Sequence, residues 1–394
     1  MSNNQRRSDF KSISEKMHQV HNSPIHKNLK AVVIYPAELA SPRATPTRVR
    51  LNIEAIEQNL KLEVIDRGGK NDTRDTWSLG EDKKKEQKGN APSGFWGFTK
   101  TALRRLDEIN PDAIHAVTTV AVLPAVLYKR RHPSVRVVFE MHGLSYYEQP
   151  ELLLLKRLVL GFIDFWGARR ADAVIAMSYT QRELIRKLYR VNPDKIRVLW
   201  GPVDLNLFYS GDPPPSRPFI IGYCGNDLFW QGLETVFEAC RLLEAHPDIR
   251  FLLMGFPSER YASLGLHNAT FIGPLTREET PSYMNRCHVL LSPRIAHKAT
   301  ETQYPFKLSA YLATGRPVIV TSVNDQPAVI EKAGCGMVIP PGDAGALANA
   351  ILHLYRMTEA ERLTLGRNAR FFAENNFSVK HLGEELLNLC RHSN

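Results

Sequence analysis

The stretch that decides the fold runs from Glu301 to Val320, ETQYPFKLSAYLATGRPVIV. Pro305 suits the first position of a helix, where its missing N–H removes no hydrogen bond. Gly315 suits the left-handed residue that follows a helix, and Pro317 forbids continuation. This punctuation predicts a helix over 305–314. Leu308, Tyr311 and Leu312 recur at i, i+3 and i+4 and so share one apolar face, while Val318, Ile319 and Val320 read as a strand buried on both sides. Lys307 then sits in the first turn beside the unpaired N–H groups of Phe306 and Lys307, where the helix dipole disfavours a cation by roughly 0.3–1 kcal/mol. A bound anion would reverse that sign, and phosphate at a helix start is a common arrangement. A Lys307 side chain solvated on a surface helix fits the same residues.

The alternation of helix and buried strand extends outward in both directions. Strands are expected at 31–35, 62–65, 113–117, 135–140, 171–176 and 195–199, and again at 219–225, 250–254, 269–272, 287–291, 318–320 and 336–339. Between them lie a helix entered through Thr45 and Pro46 that carries Val49, Ile53, Ile56 and Leu60, then helices at 119–131, 151–170, from Ser178 to about 188, and at 232–243, 258–264, 276–285 and 324–333. Such βαβ units are right-handed, and two sets of them give an α/β protein of two doubly wound, Rossmann-like domains facing across a cleft. A polar arm without periodicity, expected to be disordered, occupies 1–28. The first domain is read over 29–210 with a long mobile loop at 66–97, and the proline-rich GDPPPSRP at 211–218 marks the boundary to the second, 211–375. A terminal helix over 376–394 is a candidate to cross back onto the first domain.

At 394 residues, 43% hydrophobic, the chain is globular and long for one core. A net charge of +10 and a pI near 9.3 point to an anionic partner. Nucleic acid is set aside, because no aromatic and basic interleaving or known module accompanies the charge. The start, MSNNQRRSDF, lacks a signal-peptide core, and the most apolar run, 151–167, is interrupted by Lys156, Arg157 and Asp164, so a cytoplasmic, non-spanning protein is expected. The helix 151–170, with Lys156, Arg157, Arg169 and Arg170 beside Phe162, Phe165 and Trp166, reads either as packed between sheet and solvent or as lying on an anionic membrane surface on the cytosolic face. The five cysteines have no metal-ligand spacing and are expected as buried thiols.

Two groups of polar residues fall at the carboxyl ends of strands, where ligands of such sheets bind. The loop PAELASPRATPTRVR after the first strand carries Arg43, Arg48 and Arg50, candidates for binding an acceptor or else solvated charges. The fourth strand ends in His142-Gly143, whose imidazole can exchange a hydrogen bond with a sugar hydroxyl or merely cap the strand.

In order along the chain, VFEMHGL, RRADAVIAMS, KIRVLWGPVDLNLF, IIGYCGNDLFWQGLETVFEA, FLLMGF, HNATFIGPLTREETPSYMNRCHVLLSP, YPFKLSAYLATGRPVIVTS and GCGMVIPPGDAGALANAI together resemble the retaining glycosyltransferases of the GT-B fold, family 4 type, also called glycosyl transferases group 1. The resemblance implies transfer of a sugar, a hexosyl group by expectation, from a nucleoside-diphosphate sugar to an acceptor hydroxyl with retained anomeric configuration. The carboxyl-terminal domain would hold the donor and the amino-terminal domain a glycan, lipid-linked or small-molecule acceptor, with neither metal nor cofactor. Carried over by residue, Gly225 lets the diphosphate approach, His142 lies near the transferred sugar, and Lys307 answers to the basic residue of a Pro-x-Lys variant. The donor set becomes Gly225, Asn226, Gln231, Gly232, Arg294, Glu301, Thr302, Pro305, Phe306 and Lys307, with His142 and Lys307 as catalytic groups. Departures are also plain. Asn226 and Gln231 stand where the family carries Arg and Lys, Thr302 (beside Glu301) and Ala310 stand where it carries two glutamates, and Gly201-Pro202 replaces Asn-Gly. These losses leave a second reading open, a catalytically deficient glycosyltransferase-like subunit that binds a partner or a glycan.

Overall fold

The computed structural model describes residues 29–39, 44–66, 94–148 and 152–391. Two parallel six-stranded sheets organise the chain. The first contains β1 Lys30–Ile34, β2 Lys61–Ile65, β3 Ala113–Val117, β4 Arg136–Met141, β5 Ala173–Ala176 and β6 Ile196–Val198, in the order β2-β1-β3-β4-β5-β6. The second contains β7 Phe219–Cys224, β8 Ile249–Met254, β9 Ala269–Ile272, β10 Val289–Ser292, β11 Val318–Thr321 and β12 Gly336–Ile339, in the order β12-β11-β10-β7-β8-β9. Helices cover both faces, so the central strands β3, β5, β10 and β11 are buried at every position. This is the GT-B architecture. Each order reverses direction beside the first strand of its domain, which places the ligand crevice at the carboxyl ends of β1, β3 and β4 and of β7, β10 and β11.

The deciding helix spans Phe306–Ala313, with Leu308, Tyr311 and Leu312 fully buried. Pro305 is its N-cap (φ −78°, ψ 97°) rather than its first helical residue, and it offers no side-chain acceptor to the first turn. Gly315 takes the left-handed conformation at φ +64°. Ser178 caps the helix Tyr179–Tyr189 by accepting from Gln181 N at 3.0 Å.

Other boundaries differ from expectation. The helix Ala44–Ile56 begins before Thr45, which therefore lies inside its first turn. A helix, Phe95–Ile109, starts within the expected loop, and it buries Phe98, Ala102, Leu106 and Ile109 on one face behind a polar tract that hides its beginning. The segment 258–264 forms two short 3₁₀ turns, Ser258–Arg260 and Ala262–Leu264. The helix read at 276–285 is shortened to Thr280–Asn285. The arm 1–28, Arg43 and residues 67–93 lie outside the described residues. The cysteines are free, and four of the five are buried. No helix among the described residues is long and apolar enough to cross a membrane.

Several contacts join the halves among the described residues, and three of them position the junction. The helix Val379–Cys390 packs on the helix Ala44–Ile56 so closely that a Cβ on Gly383 would lie 2.5 Å from the Ala55 carbonyl oxygen. The Phe306 ring fills the space in front of Gly201, where a Cβ would come within 2.3 Å of it. Asp325, 4% exposed, accepts from Tyr179 N (2.6 Å), Thr180 N (3.0 Å), Thr180 Oγ1 (2.9 Å) and Trp200 Nε1 (3.3 Å). A carboxylate of the second domain thus supplies the anion that the first turn of a helix in the other domain favours. Replacing it should leave two first-turn donors unpaired. Asp325→Ala is expected to lower the unfolding free energy by about 1–3 kcal/mol, read from the denaturant midpoint, and Asp325→Asn by less. An unchanged midpoint for both would show that this junction is open in solution.

Candidate active site at the domain junction

The wall contributed by the first domain is built on β4, whose alternation puts Glu140 and His142 on the same side. Glu140 is fully buried and saturated. Its Oε1 accepts from Arg48 Nε (2.7 Å) and His142 Nε2 (2.7 Å), and its Oε2 accepts from Asn52 Nδ2 (2.9 Å) and His115 Nε2 (3.0 Å). Burial alone would raise its pKa. The Arg48 guanidinium and the bonds from His115 and His142 overcome that and hold the carboxyl well below the usual range. Burial pushes the His142 pKa down. An ionised carboxylate only accepts, so Nε2 carries the proton on a neutral His142 and Nδ1 is left as a lone pair. That Nδ1 is buried and has no partner among the described residues, so it is placed to accept from a hydroxyl. A cavity of about 350 Å³ opens beside it, lined by Tyr35, Thr118, His142, Ser145, Leu160 and Asp164 among others. Thr118 holds a φ of +73°, an outlier for a β-branched residue, pinned by its N–H to the Glu140 carbonyl at 3.0 Å.

The opposite wall rises from β7 and the deciding helix. Here a closed ring of hydrogen bonds surrounds Gly225. Lys307 Nζ donates to Tyr223 Oη (2.9 Å) and Gln231 Oε1 (2.8 Å), Gln231 Nε2 donates to Asn226 Oδ1 (2.9 Å), and Tyr223 Oη donates to the Asn226 carbonyl (2.6 Å). Gly225 lies inside it, where a Cβ would lie 2.8 Å from Lys307 Nζ and displace that flexible side chain. Gly232, at φ +74°, is required behind it, since a Cβ would come within 1.9 Å of the Pro293 carbonyl oxygen. Arg294 is 3% exposed, donates from Nη1 to the Gln303 carbonyl at 2.6 Å, and leaves Nε without a partner among the described residues. Burial, and after it the Arg294 charge, together lower the Lys307 pKa to about 7, and burial lowers Arg294 to about 10. Neither cation forms an ion pair with a carboxylate among the described residues. A half-buried and a buried cation without a carboxylate partner among the described residues can receive an anion.

The structure thus brings together Gly225, Asn226, Gln231, Gly232, Arg294 and Lys307. It excludes the reading of Lys307 as a solvated surface charge. Phe306 stands between the walls, its ring centroid 5.9 Å from that of His142, 5.8 Å from the Arg48 guanidinium, and against Gly201. Four residues depart from their expected roles. Arg48 is 1% exposed and committed to Glu140 and to the carbonyls of Trp200 (2.7 Å) and Leu199 (3.2 Å), so it is a positioning residue and not an acceptor ligand. Arg50 braces its own segment through the Leu39 carbonyl and Thr47 Oγ1 (2.8 Å). Glu301 pairs with Lys298 at 3.0 Å on the short helix Lys298–Thr302. Thr302 is buried and donates to the Ala299 carbonyl at 3.0 Å. Glu140 and Tyr223 are the site residues that the sequence did not disclose. The one available signal was Glu140 standing as a charge inside an apolar strand, VVFEM, which demands a buried partner.

The fold and its junction define a two-domain protein of the GT-B class. Family models agree: residues 55–207 match "Glycosyltransferase Family 4" and residues 218–357 match "Glycosyl transferases group 1". The chain belongs to the family 4, group 1 glycosyltransferases. A D-inositol 3-phosphate glycosyltransferase of Stackebrandtia nassauensis is 26% identical over 243 residues, 55% of this chain and 53% of that protein. The chain spans about half the length of the curated relatives it matches. Among solved structures, sucrose-phosphate synthase of Thermosynechococcus elongatus superposes with a TM-score of 0.73 at 19% identity, covering 92% of this chain and 98% of that one. Anabaena Alr3699/HepE, in complex with UDP and glucose, gives 0.68 at 16%, covering 92% and 99%.

The lowered Lys307 pKa fixes the sign of a pH effect. In the free protein the ammonium loses its proton as pH rises through about 7, while a bound diphosphate favours the charged form. Binding above that pH therefore takes up a proton and weakens as pH rises, by up to about tenfold per unit. Calorimetry with a nucleoside diphosphate between pH 7 and 9 should show this slope, and Lys307→Met should flatten it. An equal slope in the variant would place the proton elsewhere.

Proposed function

We propose that the protein transfers a sugar from a nucleoside-diphosphate donor to an acceptor hydroxyl with retention of anomeric configuration. The observation that carries this is the pair of unpaired cations, Lys307 and Arg294, held at a glycine-lined helix start across from the free Nδ1 of His142. The diphosphate would lie on Gly225 against Lys307, and the transferred sugar would give a hydroxyl hydrogen to His142 Nδ1. The acceptor would enter through the cavity beside His142. Alr3699/HepE, a neighbour in fold, binds UDP and UDP-glucose, which supports a nucleotide donor here.

Retention by a covalent protein intermediate is disfavoured by the geometry. Glu140, the carboxylate nearest His142, is fully buried, and both its oxygens accept two hydrogen bonds. The reading that remains lets the donor phosphate act as base. The bond from the anomeric carbon to the phosphate oxygen breaks, the acceptor oxygen bonds to that carbon on the same face, and its proton passes to the phosphate. Lys307 and Arg294 stabilise the leaving diphosphate. The absence of a carboxylate at Ala310, and Glu301 paired with Lys298, keep the non-catalytic subunit reading as the rival.

Lys307→Ala is expected to weaken a nucleoside diphosphate by about 1.5–3 kcal/mol, the scale of one charged hydrogen bond, and to leave the nucleoside unaffected. Equal weakening of both removes Lys307 from the phosphate site. His142→Ala should lower product formation by about tenfold or more, equivalent to roughly 1.4 kcal/mol of barrier, while Glu140 keeps its other three partners and the fold is retained. A panel of uridine-, guanosine-, adenosine- and thymidine-diphosphate sugars that shows binding but neither transfer nor hydrolysis would establish the rival.

A further inference from the structure

The helix Leu154–Arg170 has two faces of opposite character. Its inner face is locked into the first domain. Ile163, Asp164, Gly167 and Ala168 are buried there, and a Cβ on Gly167 would lie 2.6 Å from Val122 Cγ1. Its outer face carries Leu153, Leu154, Leu155, Leu158, Val159 and Phe162, each between 50% and 73% exposed. These are six of the thirteen large apolar side chains exposed among the described residues, so the surface apolar area is concentrated on this one ridge.

Charge decides what covers it. Lys156, Arg169 and Arg170 on this helix and Arg130 and Arg131 on the helix Thr119–Arg131 are exposed, and the helix's only acid, Asp164, is buried. Among the described residues Lys156, Arg130 and Arg170 form no ion pair with a carboxylate. Arg130 and Arg170 flank a shallow pocket that also includes Lys129 and Trp166. Among the described residues of this helix and of the helix Thr119–Arg131, the exposed charges beside the ridge are all cations, which opposes a second copy of the same face, because like charges would meet. The ridge matches a surface that is apolar within and anionic at its rim.

We propose that this face docks on an anionic lipid bilayer, with the leucine ridge and Phe162 entering the headgroup boundary and Lys156, Arg130 and Arg170 contacting lipid phosphates. Leu160 and Asp164 of the same helix line the cavity beside His142, so docking holds that cavity at the membrane. The corollary, an acceptor anchored in the same bilayer, rests on the sugar-transfer reading; the docking itself does not.

The test is sedimentation of the full chain with vesicles of phosphatidylcholine alone or containing phosphatidylglycerol, at low salt and at about 1 M salt, where the Debye length is about 3 Å. The wild type should sediment with the anionic vesicles at low salt, and salt should release part of it. Combined Leu155→Ser, Leu158→Ser and Phe162→Ser should reduce sedimentation about tenfold, and Lys156→Glu with Arg170→Glu should abolish the preference for anionic lipid. Both variants alter exposed residues, so an unchanged melting temperature and unchanged nucleoside diphosphate binding verify the fold and keep this result separate from the fate of the transferase reading. Wild type left in the supernatant with anionic vesicles, sedimentation indifferent to the triple substitution, or a solution dimer dissociated by that substitution would each overturn the proposal.

Discussion

The two domains approach most tightly at the site where the Phe306 ring meets Gly201, beside His142 and Arg48. No side chain larger than hydrogen fits at that glycine. Gly201-Pro202, where the resemblance to the family implies Asn-Gly, leaves the room in which this aromatic ring stands between the walls. On one side of the ring lie His142 and Arg48, and the next residue of the helix is Lys307. A short helix start thus carries the spacer and the anion-binding cation on consecutive positions, and Asp325 ties the junction from behind by capping a helix of the other domain.

At the first loop, where the resemblance to the family implies Arg and Lys, stand Asn226 and Gln231, whose amides bond to one another, and Gln231 also accepts from Lys307. The cation stands at the helix start, and the loop residue Gln231 together with Tyr223 forms the scaffold that orients it. A free ammonium on a flexible stem would be a weak phosphate ligand, whereas one fixed by two acceptors loses less side-chain entropy on binding. The enclosure that fixes it also lowers its pKa to about 7, so the same device makes the anion affinity sensitive to protons.

Much of the fold was legible because both sheets are parallel and buried on both faces, which writes each strand as an apolar run between punctuated helices. The helix Phe95–Ile109 was not, because the polar tract before it carries no N-terminal signal and Gly94 caps it without a side-chain bond. The site was legible where chemistry is local, as at Gly225, Gly232 and Lys307. It was illegible where the decisive partner is distant in sequence. Arg48 reads as a loop charge until Glu140, 92 residues away, claims it. Glu301 reads as a carboxylate near the donor, and in the structure it pairs with Lys298 on the same short helix.

The central claim is that a donor diphosphate lies on Gly225 against Lys307. A crystal structure of the protein with a nucleoside diphosphate tests it most directly. The account predicts a phosphate oxygen within about 2.7–3.2 Å of Lys307 Nζ, the hydrogen-bonding range, with the hydrogen bonds of Lys307 to Tyr223 and Gln231 retained. A diphosphate seated elsewhere, with the Asn226, Gln231, Lys307 and Tyr223 ring closed and unliganded, would contradict it.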